Sequence, residues 1–170
     1  IGARDQTNAD CIPKYRKGKQ MKTLFTAFKG IHNTSFQLVD PLGANYILLT
    51  NSFQGIEKGI SSIYSDDSIV YMFGVDKTLM DKIRIEAYAN YNEEMVYTKF
   101  DICTLRNRFR DGNIFYTVSY KPTHYLCNAA YYHMLKKKLN TVFIHITSLK
   151  GMRMGMMNKL VKVLEDDIIH

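Results

Sequence analysis

The sequence has little cysteine and no long apolar run. Its 170 residues include three cysteines, Cys11, Cys103 and Cys127. An odd number of cysteines without C-x-x-C spacing argues against a disulfide framework and against a structural zinc site. No apolar run is long enough to span a bilayer, and no secretory signal is visible at the start of the chain. These absences predict a protein of a reducing, cytoplasmic setting without a membrane partner.

Recognisable cofactor motifs are also missing. The glycines match neither a phosphate loop nor a dinucleotide fingerprint, and the histidines are not spaced as a metal-binding set. We therefore expect no metal and no cofactor. The formal net charge of +7 would suit a nucleic-acid partner, but no nucleic-acid-binding motif accompanies it. We interpret the charge as a generally basic surface and expect no nucleic-acid partner.

The pattern that is present predicts an α/β domain. Ile1–Gln20 is polar and aperiodic, and we interpret it as a tail, either disordered or added during cloning, ahead of a single domain over residues 21–170. From Met21 onward strand-like and helix-like segments alternate, which is typical of a three-layer α/β/α sandwich with a mostly parallel central sheet. The predicted strands are Lys22–Phe28, Asn45–Thr50, Ser68–Phe73, Lys82–Tyr91, Ile114–Val118 and Thr141–Thr147. The predicted helices are Asn33–Asp40, Ser52–Ser65, Lys99–Arg110, Thr123–Lys138 and a last helix whose apolar face includes Met156 and Leu164.

Cys127 and His145 are the candidate nucleophile and base. Cys127 falls in the first turn of a predicted helix, where the helix dipole favours the thiolate and lowers the thiol pKa. His145 lies in the apolar strand that follows, so the start of the helix and the end of the strand should meet at one edge of the sheet. Taken singly, each residue is more often part of a core. As a pair they suit nucleophilic catalysis.

Glu86 is a weaker candidate on the alternating segment Lys82–Tyr91. If its side chain faces the site, it can orient His145 and stabilise the imidazolium. The alternative is a solvated strand carboxylate that pairs with Arg84 or Lys82.

Several segments resemble pyroglutamyl-peptidase I, a family of cysteine peptidases. The most specific is Tyr125-Leu126-Cys127-Asn128, which is similar to the family's nucleophile segment. The matches occur in family order from about Met21 to the end of the chain. Similar to the family's other segments are Thr26-Ala27-Phe28 in the opening strand, Asn33-Thr34-Ser35 at the place of N-P-S, Ile83-Arg84-Ile85-Glu86 at the place of I-S-x-E, and Phe143-Ile144-His145-Ile146 around the histidine.

The resemblance implies an enzyme that removes N-terminal pyroglutamate from peptides. Cys127, His145 and Glu86 would be catalytic, and Phe28, Ile31 and Asn33 would line the substrate site. The oxyanion would be stabilised by backbone N–H groups near Phe28 or at the start of the Cys127 helix. Because members of this family are often oligomeric, the resemblance also allows a homo-oligomer.

The chain departs from the family pattern at the substrate pocket. The second aromatic residue of the family's pocket is replaced by Ile31, and the family's D-x-R-x-P-D-N segment has no clear counterpart. These departures leave a second hypothesis open. On this alternative the chain is a relative that binds peptides without catalysis, or that hydrolyses a different amide.

Overall fold

The helices and strands of the domain follow one another in the predicted alternation. The computed structural model describes residues 22–43, 45–63, 68–123, 125–153 and 155–169, and the predicted tail lies outside these ranges. The strands are β1 Lys22–Phe28, β2 Tyr46–Leu49, β3 Ser68–Val75, β4 Ile83–Glu86, β5 Tyr88–Tyr91, β6 Glu94–Tyr97, β7 Tyr116–Ser119 and β8 Asn140–Ile146. The helices are α1 Thr34–Val39, α2 Phe53–Ser61, α3 Ile102–Asp111, α4 Leu126–Lys136 and α5 Met156–Ile169.

The central sheet has six strands in the order β2-β1-β3-β8-β4-β7. Every neighbouring pair is parallel except β4 and β8, which are antiparallel. The predicted α/β fold with a mostly parallel sheet is therefore confirmed. The antiparallel contact has a consequence for the site, because it places the start of β4 beside the carboxyl end of β8.

Apolar side chains cover both faces of the sheet, which explains why the central strands are nearly continuous in apolar residues. One face, with Tyr71 and Val142, packs against α1, α3 and α5. The opposite face, with Met72 and Phe143, packs against α2 and α4. Alternate residues of each strand thus belong to different cores. This alternation decides which side chains can meet Cys127 on α4.

The predicted strand Lys82–Tyr91 is in fact two strands, and this prediction was wrong. β4 belongs to the central sheet, whereas β5 pairs with β6 as a separate hairpin that packs against α4. The hairpin turns at Asn92 and Glu93, both with positive φ, which is the backbone of a tight two-residue turn. Asn128 fastens the hairpin to α4, since its side-chain amide accepts from Asn90 N–H at 3.2 Å and donates to Asn90 C=O.

One cysteine departs from the reducing setting that the cysteine count suggested. Cys127 is free, whereas Cys103 on α3 is disulfide-bonded. Disulfides are characteristic of oxidising compartments, so the cysteine count no longer supports a reducing setting. The cytoplasmic location stays a prediction. Among the described residues, no helix combines the length and the apolar character that a membrane span requires.

Candidate active site

Four adjacent strands place one row of residues at the same height of the sheet. Gly74 of β3 pairs with His145 of β8, and His145 pairs with Arg84 of β4. On the other side, β1 and β3 pair Thr26 with Met72, so Phe28 lies beside Gly74 two residues further along. Side chains at matched positions point to the same face. Phe28, His145 and Arg84 therefore share the face that α2 and α4 cover, with a gap at Gly74.

The thiol of Cys127 occupies this gap. A Cβ atom at Gly74 would lie 3.3 Å from Cys127 Sγ and 2.9 Å from the ring of Phe143. Neighbouring strands are about 4.8 Å apart, so the sulfur lies over the strand next to His145. The structure thus brings together the two residues that the sequence pattern singled out, at the start of α4 and near the end of β8.

Glu86 contacts the Nδ1 atom of His145 and so fixes the orientation of the ring. The Nδ1 atom of His145 lies 2.7 Å from Glu86 Oε1, and both side chains are buried. A carboxylate only accepts hydrogen bonds, so Nδ1–H donates to Glu86 and Nε2 keeps its lone pair for a proton. Glu86 also accepts from Arg84 Nε at 2.7 Å. Glu86 is only 2% exposed, so the alternative of a solvated carboxylate is wrong, although the pairing with Arg84 that it included is present beside the contact with His145.

The predicted lowering of the thiol pKa was wrong. Burial raises the pKa of the Cys127 thiol to about 11, and the negative charge of Asp76 adds to the effect, while a hydrogen bond from its own backbone N–H opposes it. Cys127 faces the apolar core between α4 and the sheet, so desolvation outweighs the helix dipole. A thiol in this state rests protonated and needs a base to become a nucleophile.

The three predicted substrate residues lie on or after β1 in different environments. Phe28 is only 4% exposed and belongs to the same core cluster as Cys127. Ile31 is 73% exposed on the loop that follows. Asn33 caps α1, since its Oδ1 accepts from Ser35 N–H at 3.0 Å and from Ser35 Oγ–H at 2.7 Å.

The backbone donors at the two predicted oxyanion positions are not equally available. Near β1, Phe28 N–H donates to Ser35 Oγ at 3.3 Å and Lys29 N–H donates to Leu49 C=O at 2.9 Å. At α4, Asn128 N–H donates to Tyr125 C=O at 2.9 Å, whereas the N–H groups of Leu126 and Cys127 precede the first intrahelical hydrogen bond, and Tyr125 provides no side-chain cap. The start of α4, with the N–H groups of Leu126 and Cys127, is therefore the better oxyanion candidate.

From the sequence, Gly74 and Asp76 had no assigned role in the site, and Arg84 was considered only as a partner of Glu86. A glycine inside a strand often marks the close approach of another group, and this signal could have identified Gly74. The other two form an ion pair beside His145, which only the strand register reveals. Within the described ranges, no group of three or more His, Cys, Asp or Glu side chains is placed to hold a metal ion.

Solved structures with the same architecture are pyrrolidone carboxyl peptidases. The enzyme from Thermus thermophilus is 16% identical with a TM-score of 0.69, and the match covers 87% of this chain and 99% of that one. The E192I mutant from Pyrococcus furiosus is 18% identical with a TM-score of 0.67, covering 88% and 97%. The enzyme from Fervidobacterium islandicum AW-1 is 18% identical with a TM-score of 0.65, covering 88% and 95%.

This chain has the pyrrolidone carboxyl peptidase fold. The resemblance noted in the sequence is confirmed at the level of the fold, over most of both chains. No family model matches the sequence, and no curated protein sequence is significantly similar to it. On the pyrrolidone carboxyl peptidase fold, the row Phe28–Gly74–His145 and the thiol of Cys127 form the candidate active site.

Proposed function

We propose that this chain is a cysteine peptidase that removes N-terminal pyroglutamate from peptides. The observation that carries the proposal is the arrangement of three side chains on this fold. The Cys127 thiol lies over Gly74 beside His145, and Glu86 holds the far nitrogen of His145 at 2.7 Å. A purely binding protein has no chemical need for a thiol, an imidazole and a carboxylate in this order.

In the proposed reaction His145 supplies the base that the protonated thiol requires. Nε2 takes the thiol proton while Cys127 Sγ attacks the carbonyl carbon of the pyroglutamyl residue, and the oxyanion is stabilised by N–H groups at the start of α4. The imidazolium then protonates the leaving amine as the C–N bond breaks, leaving a thioester. Water, deprotonated by His145, hydrolyses the thioester and restores the thiol. Glu86 keeps the imidazole in the required tautomer throughout.

The lactam ring would bind against β1 and the loop that follows. Phe28 provides a buried aromatic surface on the same face as Cys127, and Ile31 provides an apolar side chain that is exposed in the free protein. Asn33 contributes by fixing the end of this loop, because it caps α1 and its own N–H donates to Gly30 C=O at 2.8 Å. No part of this site calls for a metal or cofactor.

A second candidate function is hydrolysis of a different amide, or peptide binding without catalysis. It is favoured by the exposure of Ile31 and by its aliphatic side chain, because an aliphatic group encloses a flat ring less completely than an aromatic group would.

The deciding measurement compares pyroglutamyl and prolyl fluorogenic amides as substrates of the wild type, Cys127→Ala and Cys127→Ser. The prolyl amide lacks the lactam carbonyl and therefore carries a charged amine in place of the uncharged lactam N–H, so the two substrates separate recognition of the lactam from general reactivity. We expect turnover of the pyroglutamyl amide alone, abolished by both substitutions and by thiol alkylation. Equal turnover of both amides would favour the second candidate, and no turnover of either by the folded wild type would reject catalysis on these substrates.

A further inference from the structure

Two buried polar side chains of α4 hold this helix against the chain segment that carries Glu86. Tyr131 is fully buried, and its hydroxyl donates to Glu86 C=O at 3.0 Å. Asn128 is also buried, and its side-chain amide bonds to both the N–H and the C=O of Asn90. Because the partners are backbone groups, these bonds fix the main chain at the end of β4 and in β5 relative to α4.

The thiol of the candidate nucleophile lies on the same part of α4 as these two anchors. Tyr131 comes one helical turn after Cys127, so the two side chains project from the same face of the helix. Asn128 follows Cys127 directly in the chain. A shift of α4 that broke either anchor would therefore also move the sulfur.

The contacts of Tyr131 lead to the candidate base by two routes. Glu86, whose carbonyl accepts from Tyr131, contacts His145 Nδ1 through its own carboxylate at 2.7 Å. The ring of Tyr131 lies 5.4 Å from the ring of Phe143, which in turn lies 4.2 Å from the imidazole. Burial raises the pKa of the Tyr131 hydroxyl, so this group keeps the proton that it donates. Tyr131 thus connects the helix of the thiol with both neighbours of the imidazole.

We propose that Tyr131 and Asn128 are positioning residues that hold the Cys127 thiol within reach of His145 by locking α4 to residues 86–90. They act through the backbone of that segment and not on the substrate itself. Because the thiol rests protonated and needs a base, its reactivity depends on this placement. The meaning for peptide hydrolysis rests on the proposed function, but the placement of the thiol can be measured without a peptide substrate.

The test is the rate at which iodoacetamide alkylates Cys127 in the full chain, followed by mass spectrometry of the Cys127 peptide, with His145 intact and in His145→Gln. Tyr131→Phe keeps the ring and removes only the hydroxyl. With His145 intact, we expect it to lower the rate about 10-fold or more, because a misplacement of about 1 Å can cost about 100-fold. In His145→Gln the same substitution should leave the rate unchanged, since no base remains to be misplaced. Asn128→Ala should behave in the same way on both backgrounds.

Tyr88→Phe is the matched control, since it also removes a hydroxyl that donates to a backbone carbonyl, that of Tyr120 at 2.7 Å, in a contact that does not involve α4. It should leave the alkylation rate unchanged. A merely structural role of Tyr131 would loosen the core, expose the thiol and raise the rate on both backgrounds. Such a rise, an unchanged rate in Tyr131→Phe, or an equal fall on both backgrounds would overturn the proposal. If Tyr131→Phe does not fold, Asn128→Ala decides by the same criteria.

With the pyroglutamyl amide as substrate, Tyr131→Phe should lower kcat about 10-fold or more and leave KM nearly unchanged, because the proposed lactam contacts on and after β1 stay in place. A comparable rise in KM would show that the whole site is disturbed and would count against a positioning role. If the wild type turns over no substrate, the proposed function fails, while the alkylation rates still decide the role of Tyr131 and Asn128. Alkylation of His145→Gln at the wild-type rate would reject His145 as the base and this inference with it.

Discussion

At the scale of the residue, the missing side chain of Gly74 is as informative as the thiol itself. The sulfur of Cys127 can lie next to His145 only because nothing projects from β3 at that position. An added methyl group would meet the sulfur at 3.3 Å and the Phe143 ring at 2.9 Å. Gly74 is required here for the space that it leaves rather than for its φ angle, so adding a methyl group at this position should impair the site.

We expect Gly74→Ala to reduce kcat roughly 100-fold, because a displacement of the nucleophile by about 1 Å can have that effect. Overpacking should also destabilise the fold by about 1–3 kcal/mol. Gly59→Ala on α2 is the matched control. Its added methyl group would meet only the flexible end of the Leu49 side chain, at 2.9 Å. Normal kcat in folded Gly74→Ala would show that the thiol does not act from this position.

The raised pKa of Cys127 predicts a loss of stability at alkaline pH. A thiol whose pKa rises from 9.0 to about 11 on folding stabilises the protein fully below pH 9, and this contribution is lost as the pH rises through 11. Relative to Cys127→Ser, which does not titrate there, the wild type should lose up to about 3 kcal/mol across this range. Urea unfolding of both proteins at several pH values measures the difference. A constant difference would contradict the burial of the thiol.

Residue identities were more predictable from the sequence than residue environments. Cys127 and His145 stand out by their spacing and by resemblance, and they meet in the structure. The pKa of the thiol was predicted in the wrong direction, because the helix start was visible in the sequence and the burial of the thiol was not. The ion pair of Arg84 and Asp76 depends on the register between β4 and β8, which no local pattern encodes.

At the scale of the element, helix α4 ends in a conformation that its residue does not favour. Lys138 has φ of 63°, in the left-handed region, and the chain leaves the helix through hydrogen bonds from Lys138 N–H to Leu135 C=O and from Leu139 N–H to Met134 C=O. This is the Schellman arrangement, in which glycine is the usual residue at the position of Lys138. The preceding Lys137 instead donates from Nζ to the carbonyls of Ile60 and Ser61 at the end of α2.

We therefore expect Lys138→Gly to stabilise the protein by about 1 kcal/mol, because glycine adopts the left-handed conformation without strain. Lys137→Gly removes the same charge but should destabilise by about 1 kcal/mol or more, since it also breaks contacts between two helices. Thermal or denaturant unfolding of both variants checks the opposite signs. Equal effects would show that charge, rather than conformation, controls this helix end.

The central elements could be predicted because their apolar patterns are strong, and the exceptions have local causes. The predictions for β1 and for the apolar run that forms β8 agree closely with the structure. The break between β4 and β5 was missed because Lys82–Tyr91 alternates without a glycine or proline. The hairpin turn was hidden because Glu93, an unusual residue at positive φ, occupies a position where glycine would have signalled the turn.

At the scale of the whole molecule, the free thiol and the disulfide-bonded cysteine lie on opposite sides of the central sheet. Cys127 lies on the face covered by α2 and α4, whereas α3, which carries the disulfide-bonded Cys103, packs on the opposite face. Reagents for one cysteine therefore meet a different environment from reagents for the other. A thiol peptidase needs its nucleophile reduced, while a disulfide elsewhere in the chain is characteristic of an oxidising setting.

We expect iodoacetamide to modify Cys127 and abolish pyroglutamyl-amide turnover in protein purified under oxidising conditions, while Cys103 stays unmodified until a reductant is added. Peptide mass spectrometry after labelling, with and without prior reduction in denaturant, measures both sites. Cys127→Ser provides the control, because any label that it takes up before reduction comes from another residue. Labelling of Cys103 without reductant would contradict the disulfide and restore the reducing setting that the cysteine count first suggested. Protection of Cys103 in a protein that was fully active before labelling would instead show that the peptidase site and an oxidised cysteine coexist on the two faces of one sheet.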